Sequence, residues 1–207
     1  MKLEGYKHIF VAVGLIGVLL IASPALSRAI PGLPGGEEFS ELYLLGPDHM
    51  AKNYPFNIAA GQNYSVYVDV GNQLGSSATY VLYVKLGNKT DQLPNNTLGK
   101  PSSLQPLYEY RFSIQDSMNW ESPVNFSVSN ASISGNNSQI NTLQINGVAF
   151  NVDKPAMWDS NSATFTYQLL FELWIYNSAS NVISFSDRFV DLRLNLTKLP
   201  NCCLLIL

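Results

Sequence analysis

Apolar and polar side chains alternate with a period of two along most of this 207-residue chain, and this pattern constrains its fold most. In the segment Tyr64 to Val70, the even-numbered residues are aromatic or apolar and share one face. No stretch after residue 30 keeps a helical period over three turns. The alternation therefore predicts an all-β fold, an antiparallel β-sandwich of immunoglobulin-like type. The clearest predicted strands are Tyr64 to Val70, Thr79 to Leu86, Thr164 to Tyr176 and Ser184 to Leu196.

Local features add detail to this prediction. The pair Asn146-Gly147 lies between apolar flanks, which is the strongest short-range signal for a β-hairpin. The residues from Asn88 to Gln105 are predicted to form a long polar loop. Trp174 lies on a long apolar strand and is predicted to belong to the core. Around Pro155 to Trp158 the pattern allows a short helical turn.

The N-terminus carries an uninterrupted apolar run from Ile9 to Ala22, preceded by Lys2 and Lys7. A cleaved secretory signal fits this 14-residue run and the small residues around Ala25. A retained transmembrane helix over residues 9–26 would span 18 residues, near the lower limit for crossing a bilayer. We favour the anchor, which leaves residues 1–8 as a cytoplasmic tail by the positive-inside tendency. Both interpretations export the rest of the chain.

The remaining organisation follows from composition. Residues 27–38 are predicted to be a Pro/Gly stalk, and residues 39–200 to be one extracellular β-sandwich domain. Residues 201–207 form an apolar tail that holds the chain's only cysteines, Cys202 and Cys203. Because these two are adjacent, they do not bridge the fold in a conventional way. We expect a frayed tail, with an interchain disulfide as the alternative.

Asn-x-Ser/Thr triplets, the acceptor motif for N-glycosylation, are unusually frequent. Random placement of the chain's Asn, Ser and Thr residues would give roughly three triplets, whereas seven are present. A glycan is bulky and soluble, so an occupied site faces water on an exported protein. The predicted glycosylation sites are Asn63, Asn88, Asn95, Asn125, Asn130, Asn136 and Asn195.

The charge balance bears on the kind of partner. After residue 28, nine Lys and Arg residues stand against fourteen Asp and Glu residues, a net charge of −5. Binding to phosphate backbones needs a basic face, so we predict no nucleic-acid partner. The expected partners are membrane lipid, through the N-terminal segment, and envelope proteins or further copies of this chain.

Candidate catalytic and metal-binding residues are few. His49 is the only histidine after the N-terminal segment, and we predict a surface-loop residue without a catalytic role. Asp48, Asp153 and Asp159 would bind calcium only if their loops converged. Glycoside cleavage needs two carboxylates, and any pair chosen from this sequence would be arbitrary. Exposure on solvated strand faces explains these carboxylates better. These carboxylates are Glu109, Asp116, Glu121 and Glu172. We therefore predict no catalytic residue, no metal site, no cofactor and no enzyme activity.

Aromatic side chains are numerous on the predicted strands and leave two interpretations open. They would supply the packing that a sandwich requires, or some of them would form a platform on which a sugar ring stacks. The tryptophans concerned are Trp120, Trp158 and Trp174.

The segment from residue 39 to about residue 90 carries a distinctive set of residues: Phe39, Glu41, Tyr43, Leu45-Gly46-Pro47, Ala51, Tyr54-Pro55 and Gly61-Gln62. With these residues the segment resembles the opening of an archaeal membrane-protein domain family of unknown function. The resemblance implies an archaeal envelope, a membrane-tethered outer domain and a sandwich-like fold, and it supplies no activity or catalytic residues.

Three functional hypotheses follow from the sequence. The first is a membrane-anchored, glycosylated cell-surface module with a structural or binding role, located on the extracellular face of the cell membrane. The second is an exported subunit of a surface filament or surface layer, assembled by donating a strand to a neighbour. The third, an extracellular hydrolase, has no recognisable site to support it.

Overall fold

A computed structural model describes Val13, residues 38–178 and residues 180–196 of the chain. The chain divides into two units, Met1–Glu38 and Phe39–Leu207. The predicted anchor or signal segment, most of the stalk and the cysteine-containing tail lie outside the described residues, so those assignments stay predictions. Within the described residues, no helix has both the length and the apolar character needed to cross a membrane.

The described part of the second unit consists of β-strands joined by turns and loops, with one short 3₁₀ turn at Asn96–Leu98. The all-β prediction is therefore confirmed. The strands are β1 (Phe39–Leu45), β2 (Asn57–Ile58), β3 (Asn63–Gln73), β4 (Ala78–Asn88), β5 (Pro106–Ile114), β6 (Met118–Ser134), β7 (Asn137–Ile145), β8 (Val148–Asp159), β9 (Thr164–Asn177) and β10 (Val182–Leu196).

The strands form one ten-stranded sheet with a main path and a branch. The path runs β1-β3-β6-β7-β8-β9-β10-β2, and β4 adds to β9 and carries β5 on its other side. The described pairings are antiparallel apart from the parallel pair β2–β10. β8 joins the two halves, since residues 148–157 pair with β7 and Trp158 and Asp159 pair with β9.

The apolar core lies on the inner face of this sheet. Val66, Val68 and Val70 of β3 are fully buried, as the alternation predicted. The inward residues of β4, β9 and β10 belong to the same continuous cluster as those of β3, β6 and β7. The sheet is thus curled over its own apolar face, and burial of that face is the main stabilising contribution. The buried residues of the second half include Tyr80, Leu82, Val84, Phe165, Tyr167, Leu169, Phe171, Leu173, Leu192 and Leu194.

The hairpin predicted at Asn146-Gly147 is confirmed. β7 ends at Ile145 and β8 begins at Val148, with φ of 49° at Asn146 and 81° at Gly147. Positive φ at both central positions is the requirement of a type I′ turn, which suits Asn-Gly. The Asn146 backbone N–H donates to the carbonyl of Asn125 at 2.7 Å, and the Asn125 N–H donates to Asn146 Oδ1 at 2.9 Å. The turn is therefore fastened to β6.

Two local predictions were wrong. Trp174 is half-buried on the outer face of β9, where it packs edge-on against Tyr83 rather than in the core. Trp174 shares the even-numbered face of β9 with Gln168 and Glu172, so the parity of the strand places it outside the core. The segment from Pro155 to Trp158 is part of β8 and not a helical turn, because pairing with β7 holds it extended.

Candidate functional site

A cleft opens where the pairing along one edge of β9 is interrupted. β4 accompanies β9 as far as the pair Asn88–Tyr167, and β8 reaches the same edge at the pair Trp158–Phe165. Thr166, between them, pairs with neither β4 nor β8, although it pairs with Asn195 of β10 on the other edge. The end of β4 and the arriving β8 leave a cleft of about 400 Å³ above this position. We call it the β4/β8 cleft.

Polar contacts across the interruption hold the two strands in place. Asn88 Nδ2 donates to the carbonyl of Pro155 at 2.9 Å, and Lys89 Nζ contacts Asp159 Oδ2 at 2.8 Å. Just below, Lys154 Nζ contacts Asp91 Oδ2 at 2.7 Å. Each of these contacts joins a residue at the end of β4, or just after it, to a residue of β8. The contacts therefore hold the two sides of the cleft together.

Two opposite charges at the cleft are paired. The hydrogen bond from Lys89, with a second from the Asn161 backbone N–H, lowers the pKa of Asp159 to about 2. Asp159 is therefore ionised at neutral pH and balances the Lys89 ammonium. This pair is neutral, whereas the Arg193 guanidinium donates to the hydroxyl of Thr166 in the cleft at 3.4 Å.

The apolar part of the cleft comes from the outgoing end of β8. The Trp158 ring packs edge-to-face on buried Phe165, with ring centroids 5.0 Å apart. Met157 is 75 % exposed, which is unusual for so large an apolar side chain. On the facing strand β7, Asn137 is exposed, and its side chain has no hydrogen-bond partner among the described residues. The exposed side chains of Met157 and Asn137 therefore lie on the outer face of the sheet, whereas the Trp158 ring lies on the core face.

A second cluster, buried on the outer face of the same sheet half, joins three distant segments. Lys85 of β4 and Glu172 of β9 are 3 % and 0 % exposed, and Lys85 Nζ lies 2.7 Å from Glu172 Oε2. Ser102, in the loop between β4 and β5, donates its backbone N–H to Glu172 Oε1 at 2.9 Å, and its hydroxyl donates to the same oxygen. We call these three residues the Lys85–Glu172–Ser102 cluster.

The hydrogen bonds of this cluster identify it as a structural anchor. Lys85 Nζ also contacts the carbonyl and the hydroxyl of Ser102 at 3.3 and 3.2 Å, so its three N–H donors all have partners. A saturated ammonium group is a poor base or nucleophile, and burial keeps substrates away from it. The cluster holds the long loop against the sheet.

The candidate catalytic carboxylates are dispersed, and one of them was misjudged. Glu109 pairs with Arg111 on β5, and the Asp116 carboxylate accepts the backbone N–H of Gly75. Glu172 is completely buried, so its assignment to a solvated strand face was wrong. The loop from Asn88 to Gln105 packs over Glu172. The alternation within one strand does not predict that a loop from elsewhere in the chain will bury its outer face. The sequence carried one signal of a buried ion pair. Lys85 and Glu172 are single, oppositely charged residues in the otherwise apolar segments VLYVKLG and LLFELW.

His49 has partners that the sequence did not predict. It lies in the loop after β1, where Nδ1 is 2.7 Å from Glu121 Oε1 and the ring stacks on Tyr67 at 3.9 Å. Asp48, Asp153 and Asp159 do not converge on one another. In the described ranges no group of three His, Cys, Asp or Glu side chains is placed to hold a metal ion.

The predicted glycosylation sites occupy two kinds of environment. Asn88 and Asn195 are half-buried, and Asn195 Oδ1 is buried without a partner in the described part of the chain. Asn88 is held by its bond to Pro155 and by a turn in which Oδ1 accepts the Thr90 backbone N–H at 2.8 Å. The exposed sites are Asn63, Asn95, Asn125, Asn130 and Asn136.

The fold and the site define an all-β domain with a mixed polar and apolar cleft at the β4/β8 junction and no recognised catalytic centre among the described residues. The chain belongs to the family described as domain of unknown function DUF1616, whose model matches residues 33–171. The prediction of an uncharacterised domain family is confirmed at this level. The archaeal origin stays a prediction. A search of curated protein sequences finds no match.

Several solved structures are similar at low sequence identity. A β-glucosidase from Listeria innocua in complex with glucose is 10 % identical, with a TM-score of 0.38, over 78 % of this chain and 16 % of that one. The CARDB domain of a Pyrococcus furiosus protein in complex with di-metal ions is 8 % identical, with a TM-score of 0.39, over 77 % and 90 %. The sporulation control protein Spo0M from Bacillus subtilis is 13 % identical, with a TM-score of 0.36, over 80 % and 51 %. At these TM-scores the similarities carry no argument about this chain.

Proposed function

We propose that this chain is a membrane-anchored, N-glycosylated module of an archaeal cell surface, with an immunoglobulin-like β-sandwich on the extracellular face. Its role there is structural or binding rather than catalytic. The observation that carries the proposal is the exposure of five of the seven acceptor asparagines on the β-structured body. An oligosaccharide needs room around the Asn side chain, and these five positions provide it.

The distribution of the exposed sites supports the same proposal. Asn63 begins β3, Asn95 lies in the loop after β4, and Asn136 lies in the turn between β6 and β7. Asn125 and Asn130 belong to β6. Glycans at these places would cover several parts of the surface of a protein in which only 13 % of residues are charged. This supplies the surface polarity that the side chains lack.

Glycopeptide mass spectrometry of the protein from its native cells tests the proposal. We expect glycans at the five exposed asparagines and bare peptides at Asn88 and Asn195, because both of these side chains are half-buried. Protease added to intact cells is expected to release the domain. The proposal is wrong if all seven asparagines are bare and the domain resists the protease until the cells are lysed.

The alternative, an exported subunit that assembles by strand donation, has one specific observation in its favour. Among the described strands β5 pairs only with β4, so one of its edges is open to a further strand. The native N-terminus distinguishes the two proposals: an intact Met1 supports the anchored module, and a start near Arg28 supports the exported subunit. An Arg111→Pro substitution on β5 would abolish assembly in the second case, because proline cannot donate to a ladder.

A further inference from the structure

We infer that β5 is the contact surface between two copies of this chain, which pair edge to edge as a symmetric dimer. The inference rests on the unpaired edge of β5 and on the order of its side chains. It is independent of the proposed glycosylation and membrane anchoring. It differs from strand donation, because two identical edges close on each other and leave no β5 edge for a third copy.

The unpaired edge of β5 is open along most of the strand. β5 pairs with β4 alone, and no backbone group in residues 107–113 bonds to a described residue outside β4. β1 also has one paired neighbour, but its carbonyls are occupied from elsewhere. The Ser40 carbonyl accepts a hydrogen bond from Arg188 Nε at 3.0 Å. The Leu44 carbonyl accepts one from the Tyr54 hydroxyl at 2.7 Å. β5 is therefore the better acceptor of a further strand.

The edge of β5 has few of the features that keep exposed edges apart. Such edges are usually very short, or are interrupted by proline, lysine or a bulge. β5 is nine residues long, contains no lysine and has its only proline at the first position, Pro106. None of the acceptor triplets lies within the strand, so no glycan attached to it blocks the edge. The two charged residues of β5, Glu109 and Arg111, have opposite signs, so they attract or repel a second copy according to the register.

Symmetry selects one register for two antiparallel copies of β5. With Tyr110 at the two-fold axis all nine residues overlap, because Tyr110 is the central residue of the strand. Glu109 then lies opposite Arg111 of the second copy, and Arg111 lies opposite Glu109. Moving the axis by one residue, to Glu109 or to Arg111, would place like charges opposite each other, which is destabilising. The register with the greatest overlap is therefore also the one with matched charges.

Both faces of β5 suit this pairing. On the outer face, Arg111 and Glu109 are 57 % and 45 % exposed and lie 2.9 Å apart within one chain. Pairing would place each guanidinium between two carboxylates, and the charges would stay close to water, so their desolvation costs little. On the inner face, Tyr108 would lie opposite Phe112 of the second copy as an aromatic cross-strand pair. The Phe112 ring is already held by stacking on Trp120 at 3.7 Å.

Sedimentation equilibrium of the full chain in a density-matched detergent tests the inference. We expect a reversible shift from the mass of one chain to the mass of two as the protein concentration rises, with no larger species. A single-chain mass at every concentration overturns the inference. A series of larger assemblies also overturns it, because an open polymer indicates a head-to-tail contact such as strand donation.

Charge variants assign the contact to β5 and to this register. Glu109→Arg places arginine opposite arginine across the axis, and Arg111→Glu places glutamate opposite glutamate. Because each repulsive contact occurs twice in the dimer, we expect either variant to weaken dimerisation at least about ten-fold. A mixture of the two variants has opposite charges at both positions again. We therefore expect a mixed dimer, detected by copurification with a tag on one variant, and its recovery also shows that both variants are folded.

The matched control is Lys100→Glu, which changes the net charge by as much as Arg111→Glu does. Lys100 is exposed and lies in the loop between β4 and β5, outside the paired strand. We expect this variant to dimerise like the unaltered chain. The inference is overturned if Lys100→Glu weakens the dimer as much as Arg111→Glu, if neither β5 variant weakens it, or if the mixture of β5 variants does not associate.

Discussion

The second half of the sheet has two buried regions that lie back to back and are held together differently. Val84 and Phe171 are register partners in the apolar core, and the residues that follow them, Lys85 and Glu172, are buried on the opposite face. In the core, stability comes from area removed from water, and any well-packed apolar group supplies it. In the Lys85–Glu172–Ser102 cluster, stability depends on every polar group having a partner. Equal burial therefore does not mean equal tolerance of substitution.

Glu172→Ala tests this difference with the largest expected effect. The substitution leaves the Lys85 ammonium buried without its counter-charge, and the loss of one partner of a buried pair costs about 3–5 kcal/mol. We expect a loss of this size in the free energy of unfolding, measured by urea denaturation of the full chain. A loss below about 1 kcal/mol would mean that Lys85 reaches water and that the cluster behaves as a surface pair.

The double variant Lys85→Met, Glu172→Leu is the matched control. Replacement of a buried ion pair by apolar side chains of similar volume is often close to neutral in stability. We expect the double variant to be more stable than Glu172→Ala alone. If the double variant is less stable, the attraction between Lys85 and Glu172 exceeds the cost of desolvating their charges. The difference between the cluster and the apolar core would then be smaller than we propose.

Leu82→Ala examines the core side of the comparison. Leu82 is fully buried, and its truncation removes apolar contacts and leaves a cavity, at a cost of about 3 kcal/mol. We expect the loss to appear in the urea midpoint with an unchanged dependence on denaturant concentration. In contrast to Glu172→Ala, the cost is expected to fall below about 1.5 kcal/mol when leucine is replaced by methionine, since volume is conserved. A Leu82→Met variant as unstable as Leu82→Ala would contradict this.

The core was predictable from sequence because its physical cause is local. Side chains alternate along a strand, so the parity of Val66, Val68 and Val70 identified the inner face of β3 without any knowledge of neighbouring strands. The Asn146-Gly147 turn was predictable for the same reason, because its φ requirement is carried by those two residues.

The cluster and the cleft were not predictable because they depend on distant segments. Lys85 and Glu172 are far apart in sequence, and the loop that carries Ser102 makes their face an interior one. The β4/β8 cleft exists because β4 ends and β8 enters at the same edge of β9, and strand order is not encoded in alternation. Trp174 was misplaced because the prediction followed the overall apolar character of β9 and not its parity, which puts Trp174 on the face of Gln168 and Glu172.

Ser102→Ala tests the same comparison between the cluster and the core, with a smaller expected effect. The variant keeps the ion pair and removes one hydroxyl that bonds both Glu172 and Lys85, so we expect a loss of about 1–2 kcal/mol. Because Ser102 belongs to the covering loop, the effect is expected to be local as well. Hydrogen exchange should quicken in residues 89–105 more than in β3. Uniform quickening across the domain would show that the loop and the core unfold together.

Asp159→Asn compares the buried pair with an exposed one and has the smallest expected effect. Lys89 lowers the pKa of Asp159 from 3.8 to about 2, so the folded state binds this proton less readily than the unfolded state does. The stabilisation is complete above about pH 4 and is lost as the pH falls towards about 2. We expect the unfolding temperature of the original chain to fall more steeply in this window than that of Asp159→Asn. Parallel pH profiles would show that the ion pair adds no stability, which is common for pairs open to solvent and screened by salt.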